Sequence, residues 1–112
     1  PHLYEVFKRY RYFAIPVFRL HDVLMRGEGG LNEGERETIF AYVSGLNACS
    51  FCYRGHVAAM ELWGMPTGLA ERLVEDLETA PVTPKLRALL KFVKKLTETP
   101  GRMAESDAAA VY

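Results

Sequence analysis

Residues Glu37–His56 read ETIFAYVSGLNACSFCYRGH, and the way that stretch folds decides how the rest of the chain is read. Ile39, Tyr42, Val43 and Leu46 recur at helical spacing. The spacing predicts one helix over Glu33–Leu46, capped by Asn32, with Glu33 and Glu35 suited to its positive end. Asn47 suits the left-handed position that ends a helix. A second helix is predicted from about Ser50 to Trp63, stopped by Gly64 with Pro66 just beyond. Cys49 then falls at the start of that helix and Cys52 in its first turn. Cys52 and His56 are four residues apart and share one helix face. Glu37 shares a face with Ala41 and Ser44, opposite the apolar stripe, so the first helix is apolar on two sides. Glu37 is therefore expected to be partly buried. A buried carboxylate needs a partner, and His56 on the next helix is the candidate.

These four side chains point to thiol chemistry. A thiol reacts as its thiolate, and a helix N-terminus favours an anion. A histidine can take the thiol proton, and a carboxylate can orient that histidine. A second thiol two residues away can close a disulfide after oxidation. Glu37, Cys49, Cys52 and His56 thus contain the parts of a peroxide-reducing dithiol site.

The pattern E-x11-C-x2-C-x3-H, set in Ser44-x2-Asn47-x-Cys49-x-Phe51-Cys52-x3-His56, resembles the alkylhydroperoxidase D-like branch of the carboxymuconolactone decarboxylase superfamily. More narrowly it is similar to the peroxidase-related proteins of that branch. The resemblance is sharp over Leu31–Met65 and extends as a helix series from Leu3 to Leu96. It implies an all-α domain built around the two-helix CxxC unit, assembled as a homo-oligomer. It implies that Cys52 reacts with peroxide, that Cys49 resolves it, and that Glu37 and His56 relay the proton. The implied partners are a hydroperoxide substrate and a dithiol or protein-thiol reductant, with no cofactor. One position departs from the pattern. The best-characterised hydroperoxidases of the branch carry a second histidine just before the second cysteine, where this chain has Phe51. The decarboxylases of the superfamily lack the cysteine pair, which points away from that activity.

Two alternatives stay open on the residues alone. Cys49, Cys52 and His56 could hold zinc, with His21, Glu37 or water as the fourth ligand, although no second Cys/His pair exists. The chain could also be a non-peroxidatic relative, decarboxylase-like or a redox sensor. The Tyr53 that follows Cys52 excludes the haem-attachment pattern.

Composition bounds the reading. The chain has 112 residues, which fits a single domain over 1–112, with 49% hydrophobic and 25% charged residues. Fourteen basic and fourteen acidic residues cancel, so nothing suggests nucleic-acid steering. No apolar run is long enough for a membrane span, and no secretory signal is visible. The expected compartment is the cytoplasm, where a CxxC reads as redox-active or metal-binding. The chain starts at Pro1 rather than Met, so preceding residues are expected to have been removed or to be not shown. It stops soon after Ser106, read as a helix cap, so a truncated C-terminal end is expected.

The flanking segments read as helical scaffold. His2–Tyr12 mixes aromatic and basic residues, and is expected to be a short helix packing its aromatics rather than a single-strand binder. Ala14–Arg26 is predicted as a helix with Pro16 in its first turn and a stripe of Val17, Leu20, Val23 and Leu24. The Gly27–Gly30 loop lacks a phosphate-binding pattern. Trp63 is expected to pack in the core, or else to wall a peroxide site. Thr67 is predicted to cap a short helix bearing Leu69, Leu73 and Leu77. Thr83 with Pro84 starts another, bearing Leu86, Leu89, Leu90, Val93 and Leu96, with Lys91, Lys94 and Lys95 facing out.

Overall fold

Asn32 settles where the central helix begins. In the computed structural model, which describes residues 2–112, its side chain accepts from the Glu35 N–H at 2.8 Å, while the Glu35 carboxylate accepts from the Asn32 N–H at 3.0 Å. This reciprocal box satisfies two N–H groups that a helix start leaves open. Pro1, from which a missing start was inferred, lies outside the described residues.

Among the described residues all regular structure is helical: α1 (Leu3–Arg9), α2 (Arg11–Arg26), α3 (Glu33–Leu46), α4 (Ser50–Leu62), α5 (Leu69–Glu75), α6 (Pro84–Glu98), a 3₁₀ turn over Pro100–Arg102, and α7 (Glu105–Ala109). The chain divides into two units, residues 1–30 and 31–112. The expected all-α class is what the chain adopts.

The second unit carries the core. Helix α3 packs on α4, α5 and α6, burying Ala41, Tyr42, Met60, Leu69, Leu73, Leu86 and Leu90. Burying a side chain of this size is worth about 1.5–3 kcal/mol. The α5 stripe lies inside, as expected, but its cap is Gly68 in the left-handed region (φ +78°), not Thr67. That conformation is open to glycine and costly for threonine. Thr83 does cap α6, accepting from the Leu86 N–H at 3.2 Å. Leu96, by contrast, is exposed at the far end of its stripe. Lys95 does not face water alone: its ammonium bonds both oxygens of Asp107 on α7, at 2.8 and 2.7 Å. The α7 cap is Ala104 rather than Ser106, because Asp107 reaches back to the Ala104 N–H. Between α5 and α6, the Arg87 guanidinium donates to the carbonyls of Leu77, Glu78 and Ala80 and fixes the connection.

The first unit departs further from expectation. Helix α2 starts at Arg11, so Pro16 lies inside it rather than in its first turn. Val17, Leu20, Val23 and Leu24 are exposed, and Ala14 and Met25 are the buried residues. Helix α1 buries none of its residues. Its one aromatic contact described is Phe7 against Phe18 of α2, edge to face at 4.9 Å. The periodicity marks which residues of α2 share a face, but does not tell whether that face is buried.

Candidate active site

The site is built on the α3–α4 hairpin, and its connection is a backbone motif before it is a chemical one. The Ala48 N–H donates to the Gly45 carbonyl at 3.0 Å, and the Cys49 N–H to the Ser44 carbonyl at 2.9 Å. This nested pair is the Schellman closure of a helix. It requires one left-handed residue, and that residue is Ala48 (φ 52°) rather than the expected Asn47, whose φ is −85°. Cys49 therefore emerges as the N-cap of α4, with Cys52 three residues on in its first turn. Their Cα atoms are 5.5 Å apart and their sulphurs form a disulfide. The structure thus holds the oxidised form of the pair.

Glu37 is 2% exposed. Its Oε2 lies 2.7 Å from Nδ1 of His56, which joins α3 to α4 directly across the hairpin. A carboxylate only accepts, so Nδ1–H donates and Nε2 is left as the imidazole's other functional atom. The Phe40 ring stacks obliquely on the imidazole, centroids 5.0 Å apart. His56 is therefore held by a charge on one side and a ring on another.

His56, Glu37 and Cys52 line one cleft of about 860 Å³ together with Phe51, Arg54 and Ala59. Cys52 is exposed there, while Cys49 is only half-buried and opens on another pocket. Glu37 and His56 are brought together by a hydrogen bond, and the two cysteines by a covalent bond. No hydrogen bond joins His56 to either sulphur; Cys52 and His56 meet only as walls of one cleft. Trp63 does not line that cleft and is half-exposed, so it is neither core nor wall. Ser44 contributes its backbone carbonyl to the turn rather than a side chain to the cleft. Phe51, at the departing position, is 66% exposed and forms part of the cleft wall.

Two contributors were missed from the sequence. Phe40 is three residues after Glu37 on α3, so helical spacing already placed it on the carboxylate's side. Arg54 brings a cation to the cleft, but nothing in the spacing distinguishes it from a solvated surface arginine. The zinc alternative lacks a ligand set: the cysteines are bonded to each other, His21 sits on α2, and among the described residues no three His, Cys, Asp or Glu side chains are grouped to hold a metal. None of the described helices is long and apolar enough to cross a membrane.

Two solved structures share this arrangement of helices. One is a peroxidase-related protein from Ralstonia eutropha, described as an alkylhydroperoxidase AhpD core. It matches with a TM-score of 0.85 at 28% identity, over 95% of this chain and 56% of its own. The other is a peroxidase-related protein from a Silicibacter species, with a TM-score of 0.80 at 31% identity, over 88% of this chain and 51% of its own. The chain is similar in fold to these alkylhydroperoxidase D-like, peroxidase-related structures. It spans about half the length of these two relatives. Comparison with protein-family models and with curated proteins gave no match.

Proposed function

We propose that this chain is a thiol-dependent peroxidase that reduces hydroperoxides through Cys52 and Cys49, with Glu37 and His56 as its proton relay. The observation that carries the reading is the bond from His56 to the buried Glu37 in the cleft onto which Cys52 opens. In the reduced form, His56 Nε2 takes the Cys52 thiol proton, and the Glu37 carboxylate balances the resulting imidazolium. The Cys52 thiolate attacks the terminal peroxide oxygen and the O–O bond breaks. The departing alkoxide takes the proton held by His56 and leaves as an alcohol, and Cys52 becomes a sulfenic acid. The Cys49 thiol then gives up its proton and attacks the Cys52 sulphur, hydroxide leaves with that proton as water, and the disulfide is formed. A dithiol or protein thiol returns the pair to the reduced state. Phe51 supplies an apolar wall, which suits an organic hydroperoxide. The exposed apolar residues of α2 support assembly into a homo-oligomer.

The test is peroxide consumption by the pre-reduced protein with a dithiol in excess. The expected result is turnover that Cys52→Ser abolishes, whereas pre-reduced Cys49→Ser freed of the dithiol gives a single turnover and a trappable sulfenic acid on Cys52. Consumption no faster than the Cys52→Ser control would overturn the reading.

A further inference from the structure

The cleft onto which Cys52 opens holds one charge that the fold does not use. Its carboxylate and its histidine answer each other, since Glu37 accepts from Nδ1 of His56. Arg54 lines the same cleft and is exposed. It makes no hydrogen bond or ion pair among the described residues. Arg36 and Arg87, by contrast, are tied to backbone carbonyls.

Helical spacing sets where this cation stands. Successive residues of a helix are about 100° apart. Around α4, Phe51, Gly55 and Ala59 therefore lie between Arg54 on one flank of the cleft and Cys52 with His56 on the other. The two flanks are separated by the width of a helix with its side chains, roughly 10 Å. The strip between them is carbon: the Phe51 ring, the Ala59 methyl and the bare backbone of Gly55. Gly55 is in the interior of α4, where glycine is less stable than alanine. A Cβ built on it would meet nothing within 4 Å, so packing does not require the glycine. What its missing side chain does provide is a gap across the strip, from Arg54 towards Cys52.

We propose that the cleft takes an anionic organic hydroperoxide, with its carboxylate on Arg54, its hydrocarbon chain across Gly55 beside Phe51, and its –OOH group at Cys52. The proposal rests on the peroxidase reading for the reaction, but not for the binding. A guanidinium holds a carboxylate through two parallel N–H···O bonds. The chain leaves water against Phe51 and Ala59. Holding both ends sets the terminal peroxide oxygen at the thiolate, which a small neutral peroxide cannot match. The carboxylate stays on the flank away from Glu37, so like charges are kept apart.

The experiment compares the mid-chain hydroperoxide of linoleic acid with its methyl ester in the peroxide-consumption assay. Arg54→Met should lower kcat/KM for the acid relative to the ester by about fivefold or more, the loss expected for a hydrogen bond to a charged group. Arg54→Lys should restore part of it. A loss shared equally by acid and ester would make Arg54 a stabiliser of the Cys52 thiolate and overturn the proposal, as would no loss for either. Gly55→Leu should lower kcat/KM for the acid relative to tert-butyl hydroperoxide, and an unchanged ratio would count against the crossing. If neither hydroperoxide is consumed, the peroxidase reading falls and the anion site is still tested. Decanoate, which cannot react, should bind the parent about fivefold more tightly than Arg54→Met in a calorimetric titration. Equal binding would overturn the site.

Discussion

A carboxylate taken almost wholly out of water must be answered by a specific group, and for Glu37 the described answer is Nδ1 of His56 at 2.7 Å. Removing one partner costs more than the bond itself contributes, because the group left behind is buried and unsatisfied. His56→Ala should therefore destabilise the fold by about 1–3 kcal/mol. Glu37→Gln keeps a hydrogen-bonding side chain and strands no charge, so it should cost less. Urea unfolding of the two variants measures that order. Both should slow the reaction of Cys52 with peroxide by about 100-fold or more, the contribution typical of a positioned acid–base group. A Glu37→Gln protein that reacts as fast as its parent would make the carboxylate purely structural. Cys49, Cys52 and His56 could be grouped from the sequence because helical spacing converts separations of three and four residues into proximity, and Glu37 because a buried carboxylate needs a partner. That the cysteines open on two different pockets was not legible, since it depends on α5 supplying Val74 to one side.

Helix ends decide where this chemistry stands. Both helices of the hairpin close with the same nested hydrogen bonds, but α4 uses Gly64 (φ +86°) at the left-handed position where α3 uses Ala48 (φ 52°). An L-residue there costs roughly 1–2 kcal/mol, and glycine gives part of the gain back as lost chain entropy. Ala48→Gly should therefore stabilise the protein by about 0.5–1 kcal/mol, read as a higher urea midpoint at unchanged slope. One turn earlier the same helix shows the opposite requirement. A Cβ built on Gly45 would stand 2.6 Å from Cγ2 of Val74, a methyl on a stiff β-branched side chain. Gly45→Ala should cost about 1–2 kcal/mol by overpacking, despite alanine's better helix propensity, and thermal or urea unfolding will show the sign. The element ends in the sequence were legible wherever the capping group is a side chain, as at Asn32 and Thr83. They were misjudged where the backbone does the work, at Ala48 and Gly68, because a φ value leaves little trace in residue type.

At the scale of the whole chain, periodicity told which residues share a face but not which faces find a partner. The stripe of α5 is buried against the core while that of α2 is exposed, though both read alike as patterns. Formal charge is equally uninformative as a total, since it sums to zero. Its placement predicts how stability responds to pH. Asp76 is held below its ordinary 3.8 chiefly by the Thr79 hydroxyl, and Asp107 chiefly by the Lys95 ammonium. The unfolded chain therefore binds these protons at higher pH than the folded one. Their stabilisation is complete above the unfolded value and is lost as pH falls through the lowered folded values. Tyr42 and Tyr53 are both pushed above 10.0, chiefly by burial, with Glu98 and Glu71 respectively adding to it. Their unfolded phenols lose the proton first, so that stabilisation is complete below about pH 10 and is lost as pH rises through the folded values. A urea-midpoint profile should thus show a plateau between about pH 5 and pH 9, with an acid and an alkaline limb. Lys95→Met should flatten the acid limb by removing the ammonium that holds Asp107 ionised, and Tyr53→Phe should flatten the alkaline one. If Lys95→Met leaves the acid limb as steep as before, the tie between α6 and α7 contributes nothing to acid stability. A Tyr53→Phe protein with an unchanged alkaline limb would assign that limb to Tyr42 and the core of α3.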